Sequence, residues 1–193
     1  MEKIKIGLLF LDITNQNTKD PDLTNMYQNK RALNMNEKYL FFYGGPFSQW
    51  YPSMFKEEIN GKVFCCAEQY MMYNKAMAFN DIEIARKILK ATEPKEHKHL
   101  GRQVKGFDAE YWNSIARDIV YDGNFYKFSQ NKHLLEKLKK TAGQILVECS
   151  PTDRIWGIGR SLKDDLRLNE KTWNGTNWLG YVLTDVRIQL IGE

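Results

Sequence analysis

Phe64-Cys65-Cys66-Ala67-Glu68-Gln69-Tyr70-Met71-Met72-Tyr73-Asn74-Lys75-Ala76-Met77-Ala78-Phe79 is the stretch on which the fold turns. It contains no Gly or Pro and is long enough for four helical turns. Tyr70, Met71, Met72, Ala76, Met77 and Phe79 surround the axis, which predicts a helix buried on most of its circumference. Glu68 and Lys75 are the polar residues of interest. Their spacing of seven leaves them about 20° apart around the axis and about 10 Å apart along it. They look toward one side, two turns from each other. Charge is costly to bury without a partner. Two readings follow: surface charges or a structural ion pair, or an acid and an amine held in a cleft for chemistry.

Working outward, the 193 residues suit one domain with one core. Aromatic residues make up 13% of the chain, enough for stacking surfaces as well as core. The net charge is +4, with 24 acids interleaved among 28 bases. That balance leans toward phosphate-bearing ligands and argues against a dedicated DNA binder. Three Cys, two of them adjacent, make no disulfide framework and point to a reducing compartment. The apolar run near the start is too short to span a membrane, and no small-residue cleavage site follows it. A soluble, cytoplasmic protein is expected.

Upstream of the helix, Ile4–Ile13 reads as a strand. Thr14–Glu37 reads as a polar loop with six Asn and weak helix around Leu23–Leu33. Tyr39–Tyr43 is a strand candidate closed by Gly44-Gly45-Pro46, and Phe47–Phe55 an aromatic loop. Asn60-Gly61 within Ile59–Phe64 is a hairpin signal. Downstream, Asp81 is expected to cap a helix through Thr92, and Pro94 to open one ending near Gly101. Asp108 caps Ala109–Tyr121, and Asn131 caps a helix stopped by Gly143. Ile145–Cys149 is a short strand and Pro151–Arg160 a loop. Leu162–Trp173 is ambiguous, and Asn177–Ile191 is a final amphipathic helix.

Chemistry-bearing patterns are sparse. Trp156-Gly157-Ile158-Gly159-Arg160 is a Gly-x-Gly that alone reads as a turn. Three His and three Cys lack metal-ligand spacing, and His97 and His99 diverge on a helix, so no metal is expected. Cys65 and Cys66 read as core, because the sequence shows no His placed to activate them. There remain the acids Glu68 and Asp153, the amine Lys75, the aromatics Trp50, Trp112 and Trp156, and Arg102, Lys127 and Arg160 for anions.

Five stretches, in order, carry a resemblance. They are Phe47-Ser48-Gln49-Trp50-Tyr51-Pro52-Ser53, Ala67–Ala76, Leu100-Gly101-Arg102, Lys127-Phe128-Ser129-Gln130-Asn131 and Asp153-Arg154-Ile155-Trp156-Gly157-Ile158-Gly159. Asn177-Trp178-Leu179-Gly180 and Val186-Arg187 follow them. Together they resemble the NADAR (YbiA-like) family from Tyr39 to Leu190. Gln49-Trp50 stands where the family usually has Asn-Phe, which bears on the pocket entrance.

The resemblance implies a mainly α, compact, single-domain YbiA-like fold with a few short strands. It places the domain in residues 39–193, with residues 1–38 as an N-terminal extension. It implies hydrolysis of an N-glycosidic bond, and no cofactor is expected. The substrates it implies are ribosylated riboflavin-pathway intermediates or ADP-ribose attached to guanine. The partner is then a small nucleotide or an ADP-ribosylated compound, nucleic acid included, bound by a monomer. The catalytic residues become Glu68, Lys75 and Asp153. The substrate-binding residues become Trp50, Tyr70, Arg102, Lys127, Trp156, Gly157, Gly159 and Asn177. Glu68 shuttles protons while Lys75 forms a Schiff base with an opened ribose. Two competing readings are a non-catalytic ADP-ribose reader and a stacking platform for nucleic acid.

Overall fold

The structure is a computed structural model and describes residues 37–192. The expected strand Ile4–Ile13 and the Leu23–Leu33 helix lie outside the described residues. Four short strands and six α-helices are described: β1 (Tyr39–Phe42), β2 (Phe55–Lys56), β3 (Val63–Phe64), α1 (Ala67–Ala78), α2 (Ile82–Lys90), α3 (Pro94–Gly101), α4 (Ala109–Gln130), α5 (Lys132–Lys139), β4 (Ile145–Glu148) and α6 (Trp178–Ile191). The fold is mainly helical, as expected.

α1 is the central element. It packs on α2, α3 and α4, and α4 packs in turn on α6. Ala67 to Tyr73 and Ala76 are all buried. The buried Gln69 joins two helix ends: its side-chain oxygen accepts from Cys65 N–H at 2.8 Å, and its amide donates to Ile88 O at 3.0 Å and Ala91 O at 3.1 Å. Those backbone groups have no partner within their own helices. Gly101 lets α3 approach closely, since a β-carbon there would overlap the Met72 side chain.

The predicted caps form. Asp81 accepts from Ile84 N–H at 3.1 Å and Asp108 from Tyr111 N–H at 2.7 Å, while Pro94 opens α3. β2 and β3 pair antiparallel around Asn60-Gly61, with Gly61 at φ +67°. Gln130 extends this hairpin by accepting from Lys56 N–H at 2.9 Å and donating to Lys56 O at 2.7 Å.

Two expectations change, and one open segment is resolved. The helix after Asp108 runs to Gln130 instead of Tyr121, straight through Gly123. A glycine is needed there because a β-carbon would lie 2.7 Å from the Tyr70 ring. Asn131 precedes α5 without capping it, because its amide donates to Lys127 O at 2.9 Å and Met54 O at 3.0 Å. The ambiguous Leu162–Trp173 segment holds two 3-10 turns, Asp165–Leu168 and Glu170–Thr172.

β1 and β4 pair in parallel, with Phe42 opposite Glu148. The loops that follow them therefore leave from the same end of the pair, where ligand crevices form in parallel sheets. Among the described residues no helix is long and apolar enough to cross a membrane.

Candidate active site

A cavity of about 800 Å³ opens where those two loops meet α1 and α3. α1 lines it with Glu68, Met71, Met72 and Lys75, the i, i+3, i+4, i+7 face of one helix. α3 adds Lys98, Gly101 and Arg102, and α4 adds Trp112. The loop after β1 supplies Trp50 and Tyr51. Glu148 stands at the end of β4, followed by Ser150, Asp153 and Trp156. Three acids thus face three cations, a wall suited to a polar ligand carrying both charge and aromatic surface.

Glu68 is only 6% exposed. Burial raises its carboxyl to about 7, against the pull of Lys98, the Trp50 side chain and Arg102, while Asp153 adds to the rise. A carboxyl at that value gives and takes protons readily near neutral pH. Lys75 is half-buried, and burial lowers its amine, with Arg102 adding a smaller push. Its Nζ lies 4.1 Å from the Phe107 ring centroid and 5.7 Å from that of Trp112. Among the described residues no ion pair joins it to Glu68. An amine eased toward neutrality and unpaired with an acid is a nucleophile in reserve.

Asp153 organises its own loop. Its Oδ1 accepts from Ile155 N–H at 2.9 Å and from Trp156 N–H at 2.8 Å, and its N–H donates to Ser150 Oγ at 3.2 Å. Trp156 is braced edge-on by Trp178, with ring centroids 5.6 Å apart.

The structure thus brings Glu68, Lys75, Asp153, Trp50, Arg102 and Trp156 to one cavity, and leaves five expected site residues out of its wall. Lys127 has no exposed surface, and its Nζ donates to Ser48 O at 2.8 Å. That contact ties it to the loop that carries Trp50, away from the cavity wall. Tyr70 packs in the core against Phe64, with ring centroids 5.0 Å apart. Gly157 sits where a β-carbon would come within 3.0 Å of Glu148 O and Ser150 Cβ. Gly159 takes φ +64°, a left-handed conformation that favours glycine. Asn177 is fully buried, accepts from Glu148 N–H at 2.9 Å and donates to Leu146 O at 3.0 Å. These four support the site from behind. Arg160 is also occupied, donating to Thr172 O at 2.8 Å and Asp164 at 3.1 Å.

Sequence reasoning missed Glu148 and Lys98. Burial first, and Asp153 second, raise Glu148 to about 7. The available signal was an acid closing an apolar strand just before Asp153, but strand ends often carry acids. Trp112, the third of the candidate aromatics, is 7% exposed: it packs in the core and also lines the cavity. Cys66 is buried, as expected, but the ground for reading the cysteines as inert core changes. His97 Nδ1 lies 3.7 Å from Cys66 Sγ, so a histidine stands beside them that linear spacing did not reveal.

The family model of the NADAR domain matches residues 40–191, which takes in every residue of this cavity. The chain belongs to the NADAR domain family. This NADAR chain is 41% identical over 162 residues to N-glycosidase R617 of Acanthamoeba polyphaga mimivirus, covering 78% of this chain and 95% of that protein. It is 32% identical over 158 residues to the riboflavin biosynthesis protein PYRR, chloroplastic, of Zea mays, covering 77% of this chain but 24% of that protein. The NMR structure of the E. coli protein YbiA superposes on the NADAR fold with a TM-score of 0.65 at 26% identity, covering 80% of this chain and 85% of that one.

Proposed function

We propose that this NADAR chain hydrolyses the bond between C1′ of a ribose and a nitrogen. The substrate is an ADP-ribosyl compound, such as ADP-ribosylated guanine, or a ribosylamino compound of riboflavin synthesis. The chain is an N-glycosidase, the class for which its mimivirus relative is named. The observation that carries the mechanism is one helix face: Glu68, raised to about 7, and Lys75, lowered by burial, open into the same cavity.

In this mechanism the neutral Lys75 amine adds to C1′ as the C1′–N bond breaks, and Glu68 delivers a proton to the departing base. One Nζ proton returns to the Glu68 carboxylate and the other passes to O4′ as the ribose ring opens, which leaves an imine. Water adds to that imine, and Lys75 departs as an amine. The negative field of Glu148 and Asp153 stabilises positive charge at C1′. Trp50 and Trp156 supply stacking faces for the base, and Arg102 and Lys98 supply cations for phosphates.

The maize relative's name favours the riboflavin-related substrate, whereas the paired cations favour a pyrophosphate-bearing one. Incubation with both classes, with released base and sugar followed by mass spectrometry, separates them. Turnover of neither, with tight ADP-ribose binding, would favour a reader of ADP-ribose. Residues 39–193 are proposed to suffice. A chain beginning at residue 37 should then turn over at the rate of the full chain.

A further inference from the structure

Behind the cavity wall, Cys65, Cys66 and His97 bring three ligand atoms within 4.8 Å of one another. None of the three lines the cavity. Consecutive side chains of a strand point apart. Here β3 ends at Phe64, and the turn into α1 brings the two sulfurs to 4.0 Å. His97 reaches in from α3, with Nδ1 3.7 Å from Cys66 Sγ and Nε2 2.9 Å from Ala91 O. A carbonyl only accepts, so Nε2 carries the ring proton and the Nδ1 lone pair faces the sulfurs. An imidazole whose far nitrogen donates to a carbonyl is the usual arrangement of a metal-ligating histidine.

We propose that Cys65 Sγ, Cys66 Sγ and His97 Nδ1 bind one zinc-class divalent ion, with water in the fourth position at the half-exposed Cys65. Zinc bonds of about 2.3 Å to sulfur and 2.0–2.1 Å to nitrogen give a tetrahedron with S···S edges of about 3.8 Å and S···N edges of about 3.5 Å. The Cys65–Cys66 and Cys66–His97 spacings of 4.0 and 3.7 Å already approach those edges, and the Cys65–His97 pair, within 4.8 Å, closes on binding. Charge selects the ion. Binding releases two thiol protons, and two thiolates with a dication sum to zero, which suits a place where Cys66 and His97 are buried. A monovalent ion would leave a net negative charge there. The ion joins the start of α1, two residues before Glu68, to α3, one residue before Lys98. It therefore sets the spacing of two cavity walls.

The test uses the reduced, chelator-treated full chain and cobalt(II) as a coloured stand-in for zinc. Saturation at one ion per chain, with thiolate-to-cobalt charge-transfer absorption and tetrahedral d–d bands, is expected, and zinc should bleach both. Cys65→Ser and Cys66→Ser should each weaken zinc binding by about a hundredfold or more, the upper side of what loss of a mere outer partner costs. Cys149→Ser, at the third cysteine, should leave it unchanged. Zinc should also raise the thermal midpoint of the wild-type chain, a readout that needs no variant to fold. Absence of charge-transfer absorption in the wild type, or an undiminished band with unchanged metal affinity in either Cys65→Ser or Cys66→Ser, would overturn the assignment.

Discussion

Lys127 Nζ, wholly buried, donates to the carbonyl of Ser48 at 2.8 Å, two residues before Trp50. Burial lowers this amine to about 7, from 10.5 for a free lysine. Between those values the unfolded chain holds a proton that the folded chain has released. Stability therefore rises with pH across that window and is lowest below it. Lys127→Met should flatten the rise, and at the upper end of the window it should cost about 1–3 kcal/mol by leaving the Ser48 carbonyl without a donor. Urea midpoints measured at intervals between about pH 7 and 10.5 test this. A variant whose midpoint climbs like the wild type would assign the slope to another group.

Glu68→Gln keeps the shape of the side chain and removes its proton. Turnover should fall by about 10²–10⁴, with ligand affinity changing only a few-fold. In the wild type the Glu68–Lys75 pair must carry one proton between them. Activity should accordingly rise through about 7, as Glu68 titrates, and fall as the lysine loses its proton. In Glu68→Gln that proton requirement is gone, so the residual activity should rise with pH through the Lys75 titration. A residual profile with the wild-type shape would remove Glu68 from the proton transfer.

Lys75→Arg preserves the charge but cannot become neutral in the working range, so it should bind substrate and not turn it over. Cyanoborohydride added during turnover should reduce the imine to a stable amine and leave a mass adduct on Lys75. An active Lys75→Arg enzyme, with no adduct on the wild type, would leave water activated by an acid as the route.

Arg102 is exposed at the end of α3 and faces the cavity beside Lys98. Arg102→Ala should weaken phosphate-bearing ligands about tenfold or more, the loss of one charge-assisted contact, and phosphate-free ribosides much less. Calorimetric titration with matched pairs of ligands measures the difference. An equal loss for both would assign Arg102 to holding α3.

Gly123→Ala should destabilise the fold by about 1–3 kcal/mol, because the added carbon meets the Tyr70 ring at 2.7 Å. Helix propensity alone would predict a gain of up to about 1 kcal/mol. The sign of the change in thermal midpoint decides between the two.

That conflict of signs shows where legibility ended. An isolated Gly in a helical pattern is a breaker by propensity, and only its neighbour across the helix interface explains it. Asp81, Pro94 and Asp108 were legible because capping is settled within three residues. The burial of Lys127 was not legible, for the opposite reason. Between Tyr126 and Phe128 nothing in the chain tells whether its amine reaches solvent, and its partner Ser48 lies 79 positions away. Glu148 and Lys98 were missed because each is an ordinary acid or amine until other elements bury it.

By itself the sequence determined α1 as a buried helix and put Glu68 and Lys75 on one face of it, because helical periodicity is a local property. It also carried the ordered motifs by which the family is recognised. Only the tertiary structure decided what that face looks into. The parallel pairing of β1 with β4 places the loop after Phe42 beside the loop after Glu148, and α3 closes against α1 over Gly101. The same packing set His97 beside Cys66, 31 positions away. Such contacts depend on which surfaces bury one another and on the desolvation that follows. Desolvation moved Glu68 and Glu148 to about 7, and no spacing within the chain encodes it.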